Sequence, residues 1–149
     1  MTIKEELYKA CETFINKKLE TVQDSISNIQ ESLISESKSS AGDKHETGRA
    51  MLQLEREKAG QQLTEIEKLK KSLYKIEDNT RSKTVRLGSV VYTTNANYYL
   101  AISAGEIMIG NAKFYAISPQ TPIAQLLISK TDGDEVCFRE QIFRIEKIL

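Results

Sequence analysis

The sequence predicts an α+β protein: an N-terminal antiparallel two-helix coiled-coil hairpin, then a small, mostly antiparallel β-sheet domain with one short helix. Three observations predict it. Residues 1–41 contain neither glycine nor proline. Apolar residues there, and again over 52–76, recur largely at steps of three and four, the seam spacing of paired helices. From Val85 onward the chain turns to β-branched and aromatic runs punctuated by turn residues.

The first helix is marked by Ile15, Leu19, Val22, Ile26, Ile29 and Leu33, and the second by Leu52, Ala59, Leu63, Ile66, Leu69, Leu73 and Ile76. Between these positions lie Lys, Glu, Gln and Ser, as on solvated faces. In an antiparallel hairpin, facing residues have position numbers that add to a constant. Leu33 with Leu52, Ile26 with Ala59, Val22 with Leu63 and Leu19 with Ile66 all add to 85. Ile15 with Leu69, Cys11 with Leu73 and Tyr8 with Ile76 add to 84, and only Ile29 meets no apolar residue, falling opposite Glu55 and Arg56. Half of 85 puts the turn between Gly42 and Asp43, where the glycine itself breaks the pattern. Each helix then has about 35 residues and a length of about 50 Å. Gly60, inside the second helix, costs about 1 kcal/mol.

The turn carries chemistry-bearing residues: Asp43, Lys44, the single histidine His45, and Glu46. Asp43 and Glu46 fit a capping box, Asp43 as N-cap and Glu46 at N3. That explains both acids without any reaction, but not why so long a hairpin carries them at its end.

The sheet domain reads as strands in VRLGSVVYT, NYYLAIS, EIMIG, KFYAIS, EVCFRE and QIFRIEKIL. Thr121-Pro122 opens a short helix through Ile123, Ala124, Leu126 and Leu127, with Thr as N-cap and Pro at N1. Asp132-Gly133-Asp134 turns the chain back into a strand. The expected organisation is a hairpin over 1–78 with its tip near 39–47, a linker over 79–84, and the second domain over 85–149. Tyr98, Tyr99, Phe114, Tyr115, Phe138 and Phe143 alternate as core residues do, rather than as a base-stacking platform.

Composition excludes several functions. Basic and acidic residues number 21 each, so binding driven mainly by phosphate neutralisation is disfavoured. One histidine and two distant cysteines cannot build a zinc cage. Ser103, Ser118 and Ser129 have no histidine in their own domain, and no glycine-rich phosphate loop is present. MTIKEELYKA lacks the apolar stretch of a secretion signal, and no run approaches a membrane span, so a cytoplasmic protein with reduced thiols and no membrane partner is expected.

Gly42-Asp43-Lys44-His45-Glu46, at the turn between two long helices, resembles the tip motif of the bacterial Gre-type transcript cleavage factors, a Gly-Asp followed after two residues by Glu. Residues 117–130, ISPQTPIAQLLISK, followed by Gly133-Asp134-Glu135-Val136, resemble the same family's C-terminal stretch, roughly IS-x-x-SPIA-x-x-L-x-GK-x-x-GD-x-V. The two matches fall in both halves of the chain, in the family's order. The resemblance implies an FK506-binding-protein-like C-terminal domain that docks on RNA polymerase, and a hairpin that enters the enzyme's secondary channel. It implies that Asp43 and Glu46 help hold a second Mg²⁺ there, jointly with the polymerase and only weakly without it. The nascent RNA 3′ end of a backtracked complex is then cleaved. The chain is thereby expected to be a factor stimulating its partner's chemistry rather than an enzyme, and the register that pairs its helices within one chain makes a monomer the expectation.

After the Glu, the family usually continues Asn-Ala-Glu-Tyr, whereas this chain has Thr47, Gly48, Arg49 and Ala50. Lys44, His45 and Arg49 make the tip more basic and are candidate tip contacts, with His45 able to touch RNA or carry a proton. Three alternatives stay open: a factor that occupies the channel without promoting cleavage, a coiled-coil adaptor whose seam pairs with a second chain, and a peptidyl-prolyl isomerase. The last is disfavoured because the chain has no Trp for a pocket floor.

Overall fold

A computed structural model of the chain describes residues 2–38, 42–76 and 81–149, with side chains described throughout except at 37–38 and 42–45. Its element order is α1 (Ile3–Lys38), α2 (Gly42–Tyr74), β1 (Val90–Thr93), β2 (Asn97–Leu100), β3 (Gly105–Ile109), β4 (Ala112–Ile117), α3 (Pro122–Leu127), β5 (Glu135–Phe138) and β6 (Gln141–Ile148). The α+β class and the six strands expected from the β-branched runs are present, although Val85–Ser89 precedes β1, with a turn at Leu87 and Gly88, rather than starting it.

Compactness divides the chain into two units, Ile15–Leu69 and the combination of Met1–Phe14 with Lys70–Leu149. The linker expected from composition at 79–84 lies partly outside the described residues. Both long helices contribute to both units, because their end segments cluster with the sheet rather than with the rest of the hairpin.

Within Ile15–Leu69, the non-exposed positions of α1 are Ile15, Leu19, Val22, Ile26, Ile29, Leu33 and Glu36. Those of α2 up to Leu69 are Gly48, Leu52, Arg56, Ala59, Gly60, Leu63, Ile66 and Leu69. This is the expected seam, extended toward the turn by Glu36 and Gly48. Ile15, Val22, Ala59 and Ile66 are buried, while Ile26, Ile29, Leu33 and Leu52 nearer the turn are only half-buried. Two helices cannot enclose their own seam as a larger bundle does. Arg56 takes the seam position opposite Ile29 and is half-buried, as a long side chain with an apolar stem can be. Its Nη1 lies 3.3 Å from where a Cβ on Gly60 would stand, so the glycine leaves space that the guanidinium uses.

The capping box anticipated at Asp43 and Glu46 differs in the structure. α2 begins at Gly42, which puts Asp43 on helical backbone, whereas an N-cap has extended backbone. A reciprocal box is present instead at the start of α1, where Thr2 N donates to Glu5 Oε2 at 3.1 Å and Glu5 N to Thr2 Oγ1 at 3.2 Å.

The six strands form one sheet in the order β3-β4-β2-β1-β6-β5. All neighbours are antiparallel except β2 and β4, which run parallel with Tyr98 opposite Tyr115 and Leu100 opposite Ile117. Alternation along the strands gives two faces. Val91, Tyr98 and Leu100 share a core with Ala124 and Leu127 of α3 and with Val136, Phe143, Ile145 and Ile148. Val90, Tyr99 and Phe114 turn the other way and are equally buried. The same unit holds the helix ends with their buried Leu7, Cys11 and Leu73, the apolar residues available to cover that second face. Gly88 fits this packing, since a Cβ there would come within 2.9 Å of Ile76 Cγ2.

α3 forms as its first residues dictate: Thr121 is the N-cap, its hydroxyl accepting from Ala124 N at 3.4 Å, and Pro122 follows in the first turn. Gly133, at φ +87°, makes the following turn, which Asp134 closes by accepting from Thr131 N at 2.8 Å.

Candidate functional site at the hairpin turn

The residues singled out by sequence lie on the first turns of α2. Helical backbone runs through Asp43, Lys44, His45 and Glu46, so positions 43 and 46 stand three apart on one helix and share approximately one face. The side chains of Asp43, Lys44 and His45 lie outside the described residues. Glu46, Thr47 and Arg49 are exposed on the surface of the hairpin. Thus an acid and a base, Glu46 and Arg49, are exposed one turn apart.

A residue that sequence reasoning passed over joins them. Glu36, near the end of α1, is half-buried, and its carboxylate lies 3.5–3.6 Å from where a Cβ on Gly48 would be. Gly48 therefore brings the backbone of α2 alongside an acid of α1, close behind Glu46. The signal was available: positions 36 and 48 add to 84 and so belong to the seam register, but neither residue is apolar. Among the described residues, no group of three or more His, Cys, Asp or Glu side chains is placed to hold a metal ion.

Clefts lie in the sheet unit, two of them lined by described residues. One, of about 560 Å³, is lined by Arg81, Lys83, Asp132, Glu146 and Lys147 with Ser82 and Thr131, an open mixture of both charge signs. The other, of about 220 Å³, is lined by Thr2, Ile3, Lys4, Arg81 and Leu149. There Lys4 is held below the usual lysine range, first by burial and then by Arg86 and Arg81. Neither cleft has an aromatic wall. The aromatic residues serve the core instead: Tyr98, Tyr99, Phe114 and Phe143 are buried, and Tyr115 and Phe138 pack partly buried against the main cluster. No helix among the described residues is long and apolar enough to cross a membrane.

The chain matches no family model and no curated protein. Its residues are therefore the whole ground for a functional reading. The two cysteines add no site: Cys11 is buried, its thiol pushed up to about 12 by that burial, and Cys137 is exposed.

Proposed function

We propose that this chain is a Gre-type transcription elongation factor that binds RNA polymerase through an FKBP-like C-terminal part and inserts its hairpin turn into the secondary channel. The observation that carries the reading is the exposed carboxylate of Glu46, three residues after Asp43 on helical backbone at the turn of a long antiparallel hairpin. A second region supports it. The C-terminal pattern has glycine where this chain has Ser129, and Ser129 adopts φ +73°, the backbone region that favours glycine. The pattern's Ser-Pro is matched by Thr121 and Pro122 in the same N-cap and first-turn roles, and its Gly-Asp by Gly133 and Asp134 in the turn before β5.

On this reading the chain contributes position and charge, and the catalytic centre belongs mostly to the partner. Asp43 and Glu46 are hard oxygen donors, and one or two such groups are enough for Mg²⁺ when a partner provides the rest. The exposure of Glu46 fits that role. A Mg²⁺ held jointly with the polymerase would activate water and neutralise charge at the scissile phosphate. Lys44, His45 and Arg49 add positive charge suited to the nascent RNA 3′ end. The factor works in the cytoplasm as a monomer, and is not itself an enzyme.

A second reading, a channel-occupying regulator without cleavage activity, is favoured by Thr47-Gly48-Arg49-Ala50, which replaces the acid and aromatic of the family tip. Transcript cleavage by the cognate polymerase on a stalled complex decides between them. Wild type should bind and accelerate cleavage above the intrinsic rate, while Asp43→Asn/Glu46→Gln should bind without accelerating it. Binding with cleavage left at the intrinsic rate selects the regulator. Failure of the wild type to bind removes the assignment.

A further inference from the structure

Among the described side chains of Ile15–Leu69, the exposed large apolar residues fall in one stretch. In Ile15–Leu69, every exposed residue over 15–33 and 55–69 is polar or charged. Between these stretches Ile34, Met51 and Leu54 are 57%, 60% and 65% exposed. Single exposed apolar residues are ordinary. These three are not scattered, because Ile34 and Met51 add to 85, the seam constant, and so stand at one level of the hairpin, with Leu54 one helical turn away from Met51.

Their directions follow from the seam. Ile34 comes one residue after Leu33, about 100° round α1, and Met51 one residue before Leu52, about 100° round α2. In an antiparallel pair these two rotations point to opposite flanks. Leu54, two residues beyond Leu52, falls on the back of α2. The apolar groups thus surround the hairpin on three sides at one level, immediately behind the charged segment Asp43–Glu46.

We infer that this collar is a contact surface for a protein cavity that encloses the end of the hairpin, with an apolar wall at the level of Ile34, Met51 and Leu54. A flat partner or a second copy of the chain would cover one flank and leave the other in water. A lipid surface would have to take in the four charged or polar residues of Asp43–Glu46 before reaching the collar, at a cost three apolar side chains do not offset. The inference rests on the proposed function, since a channel lumen is such a cavity, and it assigns the affinity of the inserted end to three residues outside the acid pair.

The test uses the full chain and the cognate RNA polymerase, with Ile34→Gln alone, Met51→Gln/Leu54→Gln, and all three together. Exposed positions and good helix formers keep these variants folded, which circular dichroism verifies. Each flank variant should weaken binding measurably, and the triple variant by about tenfold or more. Weakening by one flank variant only would overturn the enclosing cavity in favour of a flat contact, and unchanged binding by all three would overturn the collar while leaving the functional reading intact. A wild-type dimer in sedimentation that the triple variant abolishes would assign the residues to self-association instead. If wild type does not bind the polymerase, both the functional reading and this inference fail.

Discussion

Among the described residues, three other than glycine hold left-handed backbone: Ser129 at φ +73°, Arg139 at +51° and Glu140 at +67°. A side chain there costs about 1–2 kcal/mol relative to a relaxed backbone. Arg139 and Glu140 form the two-residue loop between β5 and β6, a type I′ geometry that normally selects Asn-Gly. Arg139 recovers part of the cost by lying 5.0 Å from the Phe138 ring centroid. Ser129→Gly and Glu140→Gly should therefore each stabilise the fold by about 1 kcal/mol, read as a higher urea midpoint with an unchanged slope. Gly88→Ala should do the reverse, by about 2 kcal/mol, because φ is +89° and Ile76 occupies the space a methyl would need. At Cys11 the cause is burial, which pushes the thiol from 9.0 to about 12. One thiol, Cys137, should react with a disulfide reagent in the native protein and both after unfolding. The sign for stability follows from the unfolded thiol ionising first. Between about pH 9 and 12 the unfolded state loses a proton that the folded state keeps, so this group's contribution falls as pH rises. Burial raises Tyr92 and Tyr98 in the same direction, whereas Lys4, held low, opposes them. Cys11→Ala should show a shallower alkaline loss of melting temperature than wild type.

At the scale of the element, the hairpin is held by a seam that thins toward its turn. Ile66, buried within it, should cost about 3 kcal/mol on replacement by Ala, whereas truncating half-buried Leu52 should cost less. Gly48→Ala places its methyl 3.5 Å from the Glu36 carboxylate, an ordinary contact, and removes a helix-interior glycine. The expected gain is about 0.5–1 kcal/mol by chemical denaturation. The same substitution at Gly60 meets the mobile end of Arg56 at 3.3 Å, which must shift, so its gain should be smaller. The seam was legible in the sequence because a fixed antiparallel register makes position numbers add to a constant, and apolar residues obey it. Glu36 and Gly48 sit on the same seam and were not recognised as part of it, since an apolar count registers neither a carboxylate nor a missing side chain, while Arg56 was placed opposite Ile29 as a non-apolar partner. α3 and the Asp132–Asp134 turn were legible for a different reason: Thr-Pro and Asp-Gly-Asp act through their own backbone geometry. The capping box was assigned to Asp43 and Glu46 and found at Thr2 and Glu5, because spacing alone cannot say where helical backbone begins.

For the whole molecule, the proposed mechanism requires a metal site completed only in the complex. Isolated protein should show no shift in melting temperature in Mg²⁺ at about 10 mM, since a ligand at its own dissociation constant stabilises by only about 0.4 kcal/mol. A large shift would instead mean a preformed site, contrary to the proposal. The sequence by itself determined the two long helices, their antiparallel register, the six strands and the short helix between β4 and β5, because each depends on local periodicity, caps or turn residues. Only the tertiary structure decided the strand order, the parallel pairing of β2 with β4, and the grouping of the helix ends with the sheet. Those depend on which apolar faces meet across long stretches of chain, and a half-buried strand carries the same alternation whichever neighbour it has. The exposure of Ile34, Met51 and Leu54 was decided there as well. Sequence alone does not separate an apolar residue that packs beside a seam from one that stands exposed there, as these three do.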